Sequence, residues 1–285
     1  MEAEQREPII LDESRCISCG ICVSLCPHNA LSLQDGFPRI TGKCRVCGLC
    51  VASCITMALS MRAKKFTDEG LLEGFKADVA IFACRRVAEK GKEYDGLIRM
   101  LCGARLDPRL IVEAFERGAK SVVVAVCEDC RNRYGNLEAR SKVELLRILL
   151  KKLGDEEDRV VLVNSLEKLP DLVSDPIKAD LKIMRAVVED RNVRTLTAKL
   201  RQITEEGNVY GEKIPRDKYI SILEKTVDTA IKSAKILSVF EREAKVSEIA
   251  DKTGLSLSEV IDTVLEMKRR DMISFDVEEE LVLKR

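Results

Sequence analysis

Eight of the twelve cysteines in this chain fall into two copies of one phrase, C-x-x-C-x-x-C-x-x-x-C. The first copy is Cys16, Cys19, Cys22 and Cys26, the second Cys44, Cys47, Cys50 and Cys54. Thiolates at this spacing suit iron–sulfur chemistry. Three at intervals of three residues can wrap one face of a four-iron cube, while the fourth, displaced by one more residue, points toward a second cube. The duplication extends beyond the sulfurs: Ala30-Leu31-Ser32-Leu33 behind Cys26 returns as Ala58-Leu59-Ser60-Met61 behind Cys54. A whole structural half is therefore repeated, and neither half is large enough to bury a core alone. Small residues beside the ligands (Ser18, Gly20, Gly48, Ser53) would let backbone amides approach sulfur. A disulfide framework or zinc knuckles are the alternatives. Residues 1–7 are largely charged and do not read as a secretory signal, so stored disulfides are not expected. Zinc ribbons use paired ligands rather than two identical quartets.

Over residues 9–61 these motifs resemble two-cluster bacterial ferredoxins. The resemblance implies one 4Fe-4S cluster on Cys16, Cys19, Cys22 and Cys54, and a second on Cys44, Cys47, Cys50 and Cys26. Pro27 follows Cys26 as in that family. Ile55 stands where a second proline usually follows Cys54, which is expected to loosen that turn without removing a ligand.

The chain has 285 residues, enough for two or three domains with separate cores. Charged residues make up 34% and balance to zero, so no global field attracts nucleic acid or an anionic membrane. Apolar runs such as residues 121–127 fall far short of the roughly 20 residues that span a bilayer. Cytoplasm is the expected compartment. The one histidine, His28, excludes multi-histidine metal sites and reads as a loop residue after Pro27.

After an expected connector at residues 63–76, strands and helices alternate. Strands are predicted at 78–83, 97–101, 121–126 and 159–163, with helices at 108–117 and 136–153. This pattern predicts a small parallel sheet flanked by helices. The remaining cysteines then fall at strand carboxyl ends, where open α/β sheets place ligands: Cys84, Cys102, and Cys127 with Cys130. Four thiols in one crevice suit a 2Fe-2S cluster. Buried core cysteines, or a thiol–disulfide pair at Cys127-Glu128-Asp129-Cys130, are the competing readings.

The segments Cys102-Gly103-Ala104-Arg105-Leu106-Asp107-Pro108 and Arg133-Tyr134-Gly135-Asn136-Leu137-Glu138-Ala139-Arg140 resemble the iron-sulfur delta subunit of methyl-viologen-reducing hydrogenases. That family passes electrons between a hydrogenase or formate dehydrogenase and the flavin-containing subunit of heterodisulfide reductase, and the resemblance implies such partners here. This chain departs from it in carrying one cysteine, Cys84, where a close pair is usual, and in the closer spacing of Cys127 and Cys130. Arg15, Lys43 and Arg45 flank the first ligands, and Arg85, Arg86, Arg105, Arg131 and Arg133 surround the third group. Such cations would favour the reduced state of a nearby cluster.

Residues 177–206 carry helical apolar spacing. From residue 227 the chain resembles a winged helix, with helices at 231–241, 246–253 and from Ser258 as cap to 270, and a wing at 273–283. The third helix offers Glu259, Asp262 and Glu266, and residues 227–285 hold ten Lys and Arg against thirteen Asp and Glu. Phosphate contacts dominate DNA affinity, so protein docking or dimerisation is expected instead.

The expected organisation is α+β and α/β multidomain. It comprises a dicluster ferredoxin-type domain (1–62), a connector (63–76), an α/β 2Fe-2S domain (77–166), a linker and helical segment (167–226) and a winged-helix-like domain (227–285). No nucleotide-binding glycine fingerprint or open catalytic site is visible, so the expected role is an electron-transfer subunit of an anaerobic oxidoreductase complex. A redox-sensing transcription regulator and a thiol–disulfide oxidoreductase are the alternatives.

Overall fold

The structure, a computed structural model, describes residues 7–88, 94–207 and 210–284. The first six residues and Arg285, which enter the expectations for the two ends, lie outside them.

The N-terminal unit is built twice. Strand β1 (Ile9–Leu11), helix α1 (Ile21–Ser24) and strand β2 (Leu31–Gln34) are followed by β3 (Phe37–Ile40), α2 (Leu49–Ala52) and β4 (Leu59–Met61), each 28 residues after its counterpart. The strands pair across the repeat, β1 antiparallel with β4 and β2 with β3. Ile9, Val51, Leu59 and Met61 meet in one shared core. Pairing the first strand of one half with the last of the other is how two half-cores close into one.

Helix α3 (Asp68–Leu71), capped by the Thr67 hydroxyl, leads into a parallel sheet. It comprises β5 (Val79–Cys84), α4 (Arg85–Ala88), β6 (Leu97–Met100), α5 (Pro108–Glu116), β7 (Ser121–Ala125), α6 (Gly135–Lys152) and β8 (Val160–Val163). Strand order is β6-β5-β7-β8, all parallel, and each strand lies within one or two residues of its expected place. The chain runs outward from β5 to β6, then back past β5 to β7. Right-handed crossovers therefore put α4 on one face and α5 and α6 on the other. The expected flanking helices are α5 and α6, and α4 on the other face is a single turn. Its face is completed by Tyr94, Leu166, Leu169 and Leu172 from loops.

Helices α7 (Leu181–Glu189) and α8 (Arg191–Arg201) are each capped by an aspartate, Asp180 and Asp190, accepting two backbone N–H bonds. Helix α9 (Arg216–Ser238) runs through the position where the expected boundary at 226–227 stood. Met184, Val187, Val193, Leu200, Tyr219 and Val227 pack into the same core as the sheet, so this region is more than a linker. Beyond it lie β9 (Glu243–Lys245), α10 (Val246–Thr253), α11 (Leu257–Arg269), β10 (Ile273–Asp276) and β11 (Leu281–Lys284). Here the sheet order is β10-β11-β9, antiparallel, over a separate core of Ile236, Ile249, Val260, Val264 and Val282. The cap of α11 is Ser256, in a reciprocal capping box with Glu259, rather than the expected Ser258. Among the described residues no helix is long and apolar enough to cross a membrane.

Candidate iron–sulfur sites

All twelve cysteines are free thiols. Cys16, Cys19, Cys22 and Cys54 line one small cavity, together with Ile17, Leu33 and Pro38. Burial pushes the Cys22 thiol up to about 12, and nearby Cys54, Cys19 and Cys16 push the same way. Cys50 is raised by burial and by neighbouring Cys47, Cys22, Cys44 and Cys26, and Cys47 is pushed up to about 11 by burial, with Cys26 and Cys44 beside it. The fold thus gathers two quartets in which the last cysteine of each phrase joins the first three of the other. The Cys50–Cys22 proximity shows that the quartets adjoin.

The backbone around them fits sulfur ligation by a cluster. Ala30 N donates to Cys26 Sγ at 3.3 Å and Ala58 N to Cys54 Sγ at 3.2 Å, and Val46 N donates to Cys44 Sγ at 3.4 Å. Hydrogen bonds to the ligand sulfurs are one means by which a protein tunes such clusters. Left-handed backbone recurs at matched places: Ser18 and Val46 (φ 55° and 56°), Gly20 and Gly48 (71° and 78°), Asn29 and Met57 (48° and 55°). For a β-branched valine this conformation is costly and persists only where the surroundings dictate it. Among the described residues no three His, Cys, Asp or Glu side chains gather as ligands of a single metal ion.

The third group lies at the sheet's carboxyl edge, as expected. Cys84 ends β5, Cys102 follows β6 by two residues and Cys127 follows β7 by two. The four thiols fall into two close pairs, Cys84 with Cys127 and Cys102 with Cys130, and Cys127 and Cys130 are near each other. The second pair is split by mutual contact: Cys102 is pushed up, first by Cys130, and Cys130 is pulled down to about 5, first by Cys102. Cys127 is raised to about 11, chiefly by burial. The N-terminus of α6 carries Gly135 because a Cβ there would lie 2.5 Å from Cys102 Sγ and 2.9 Å from Cys130 Sγ.

Cys102 and Cys130 also face the N-terminal unit, sharing an apolar cluster with Ile21, Leu25, Cys47 and Ile55. His28 is more than a loop residue. Its Nε2 meets Asn132 Oδ1 at 3.1 Å, and the Asn132 side chain lies beside the Cys102 thiol, which it pulls down. Of the cations expected around the sites, Arg15, Lys43, Arg45, Arg85, Arg131 and Arg133 face solvent. Arg86 donates to Asp129 O. Arg105 is buried: it packs on Gly48, where a Cβ would stand 2.6 Å from its Cδ, and pairs with Asp68.

A layer of buried charge behind the thiols has no local signature in the sequence. Arg194 donates to Cys54 O and to both oxygens of Asp107, which Arg109 also pairs. Burial works to raise the Asp107 carboxyl, but the two guanidinium groups outweigh it and hold the group well below the usual range. Arg201 stacks on Tyr134, pairs with Glu138 and reaches Leu25 O. Lys142, buried beside Ala104 O, has its ammonium pulled down by desolvation. The apolar and polar periods of helices α6 and α8 mark these positions as helical, and nothing in that pattern marks them as inward-facing charges.

Known families match both cysteine-bearing regions of the chain. Residues 9–32 match the 4Fe-4S binding domain, and residues 79–178 match the family described as methyl-viologen-reducing hydrogenase, delta subunit. Over 172 residues the chain is 32% identical to one polypeptide of the ferredoxin:CoB-CoM heterodisulfide reductase of Methanosarcina mazei, covering 53% of this chain and 22% of that protein. Over 68 residues it is 41% identical to an iron-sulfur polypeptide of the F420-non-reducing hydrogenase of Archaeoglobus profundus, covering 23% and 50%. The iron-sulfur polypeptide of the F420-non-reducing hydrogenase vhc of Methanococcus voltae is 36% identical over 67 residues, covering 23% and 46%. The chain thus spans about half of the hydrogenase polypeptides and about a fifth of the reductase one. A ferredoxin-type 4Fe-4S binding domain followed by a hydrogenase-delta-type domain is what this chain carries, in one polypeptide.

Proposed function

We propose that the chain is an electron-transfer subunit holding two 4Fe-4S clusters and one 2Fe-2S cluster. Cys16, Cys19, Cys22 and Cys54 would hold the first, Cys44, Cys47, Cys50 and Cys26 the second, and Cys84, Cys102, Cys127 and Cys130 the third. The observation that carries the reading is the packing of Cys102 and Cys130 against Cys47 in one apolar cluster, which brings the two kinds of site together across the domain junction. When bound, such clusters take up and release single electrons. The chain's own residues hold the thiols, exclude water from the junction and fix it through His28, Asn132 and Arg201. By the family resemblance, the partners are a hydrogenase or formate dehydrogenase module and a flavin-containing protein of the heterodisulfide reductase type, in an anaerobic cytoplasm; the relatives named for hydrogenases and heterodisulfide reductase support the hydrogenase and reductase parts of this reading. The C-terminal unit, winged-helix-like in its helix and strand order, is a docking or dimerising element, since α11 and the 276–280 turn are acidic.

Protein isolated anaerobically should contain about ten irons per chain by ligand count, with matching acid-labile sulfide. Stoichiometric zinc with little sulfide would end this reading. A thiol–disulfide role is the second reading, favoured by the lowered Cys130 thiol beside Cys102. It predicts instead a Cys102–Cys130 disulfide that reduces reversibly in iron-free protein.

A further inference from the structure

The two ligand turns of the N-terminal unit are twins held by different means. Cys26 O accepts from Asn29 N at 3.2 Å, and Cys54 O accepts from Met57 N at 3.2 Å. In the first turn Pro27 locks its own backbone torsion. In the second, Ile55 gives up that restriction, and its side chain is buried with Cys102, Ala104 and Ala198 at the domain junction. A turn without proline, bearing a ligand, should be the weaker of the two. It is held instead by Arg194, one turn into α8 and 5% exposed. Its Nε and Nη2 donate to Cys54 O at 3.0 and 2.8 Å, and Nη2 also reaches Ala52 O at 3.2 Å. The planar guanidinium is preorganised for this fork, which a lysine would not reproduce. Asp107, fully buried, orients the guanidinium by accepting at 3.2 Å from Nη1 and from Nη2.

We propose that Arg194 is a positioning residue for the Cys16, Cys19, Cys22 and Cys54 site, replacing the absent proline and holding a positive charge against the Cys54 turn. This deepens the proposed function and rests on those four cysteines holding a cluster. Arg194 itself is desolvated: Arg105 and Arg109 pair with Asp68, Arg109 also lies near Glu189, and Arg194 pairs with Asp107 beside the Cys54 turn. Uptake of one electron adds one negative charge at the ligand turn, and a desolvated cation there favours it.

The test uses the full chain isolated anaerobically. Amide hydrogen exchange across residues 54–58 reads the clamp, and an EPR-monitored redox titration reads the charge. Arg194→Gln should speed exchange in that segment at least tenfold, leaving residues 26–30 unchanged. It should weaken one-electron uptake about tenfold, which lowers the midpoint by about 59 mV for a one-electron couple. Arg194→Lys keeps the charge and loses the fork, so exchange should rise while uptake stays within about threefold. Ile55→Pro added to Arg194→Gln should restore slow exchange and leave the potential low. Exchange and potential both unchanged in Arg194→Gln overturn the proposal. If that variant does not fold, unchanged exchange in Arg194→Lys overturns it equally. A wild-type chain without cubane signals would defeat the proposed function instead, while exchange in the same sample still reads the clamp.

Discussion

Asp107 shows how much of the cysteine site depends on residues outside the thiols themselves. It caps α5 through Arg109 N, pairs with Arg109 and orients Arg194, all without solvent. Removing one partner of a buried ion pair costs about 3–5 kcal/mol, because the remaining charge is stranded. Asp107→Asn should therefore lower stability by about that amount, read as a fall in the denaturant midpoint. Its folded-state carboxyl lies below the unfolded value, so the stabilisation is present above the unfolded value and lost as pH falls through the folded one. The gap between wild type and variant should accordingly stay constant from pH 8 to about 5 and narrow only below about 4. A gap that shrinks between pH 8 and 6 would assign the effect to another group. Cys102→Ser bears on the third site: it should abolish the 2Fe-2S spectral signature and leave both cubane signals, whereas an unchanged spectrum would favour a core cysteine.

Helix α6 begins at Gly135 because the two thiols of Cys102 and Cys130 occupy the space a side chain would need. Gly135→Ala should thus displace those thiols and reduce iron at the third site by at least half, with the cubanes intact. Full iron occupancy in that variant would place the cluster elsewhere. Helix α8 belongs to neither expected cluster domain, yet Arg194 reaches Cys54 O and Arg201 reaches Leu25 O from its two ends. Its function as a brace comes from the aspartate cap that sets its start and from the turn spacing that aims both guanidinium groups at the N-terminal unit.

Across the whole molecule, α9 links two cores. Its first half packs with the sheet through Tyr219, Leu223 and Val227, and its end packs with the C-terminal unit through Ile236. The ion pairs Lys232–Glu259 and Arg270–Asp190 tie that unit back to the helices. Leu257, Ile261 and Leu265 form an exposed row along α11 beside acidic Asp262. Truncation after Ser238 should leave iron content unchanged while weakening assembly with a redox partner or a second copy at least tenfold. A truncated chain that assembles at wild-type affinity would remove the docking role, and tight, sequence-specific binding of a DNA duplex by the intact chain would favour a regulator.

What the sequence alone determined was local. The 28-residue cysteine repeat implied duplicated turns, and the structure shows matched left-handed residues at that same offset. The strand runs at 78–83 and 121–126 were legible because a fully buried parallel strand needs an unbroken β-branched or apolar run. The strand-end placement of Cys84, Cys102 and Cys127 followed from the strand runs. Tertiary structure alone decided how the units join. Arg194 and Cys54 are 140 residues apart and His28 and Asn132 are 104 apart. Such pairs leave no periodic trace, because an inward-facing arginine on a helix has the same local spacing as a solvated one. Only when the chain closes does burial decide which cations become braces, and it makes them paired ones, since an unpaired charge at that depth would be too costly to keep.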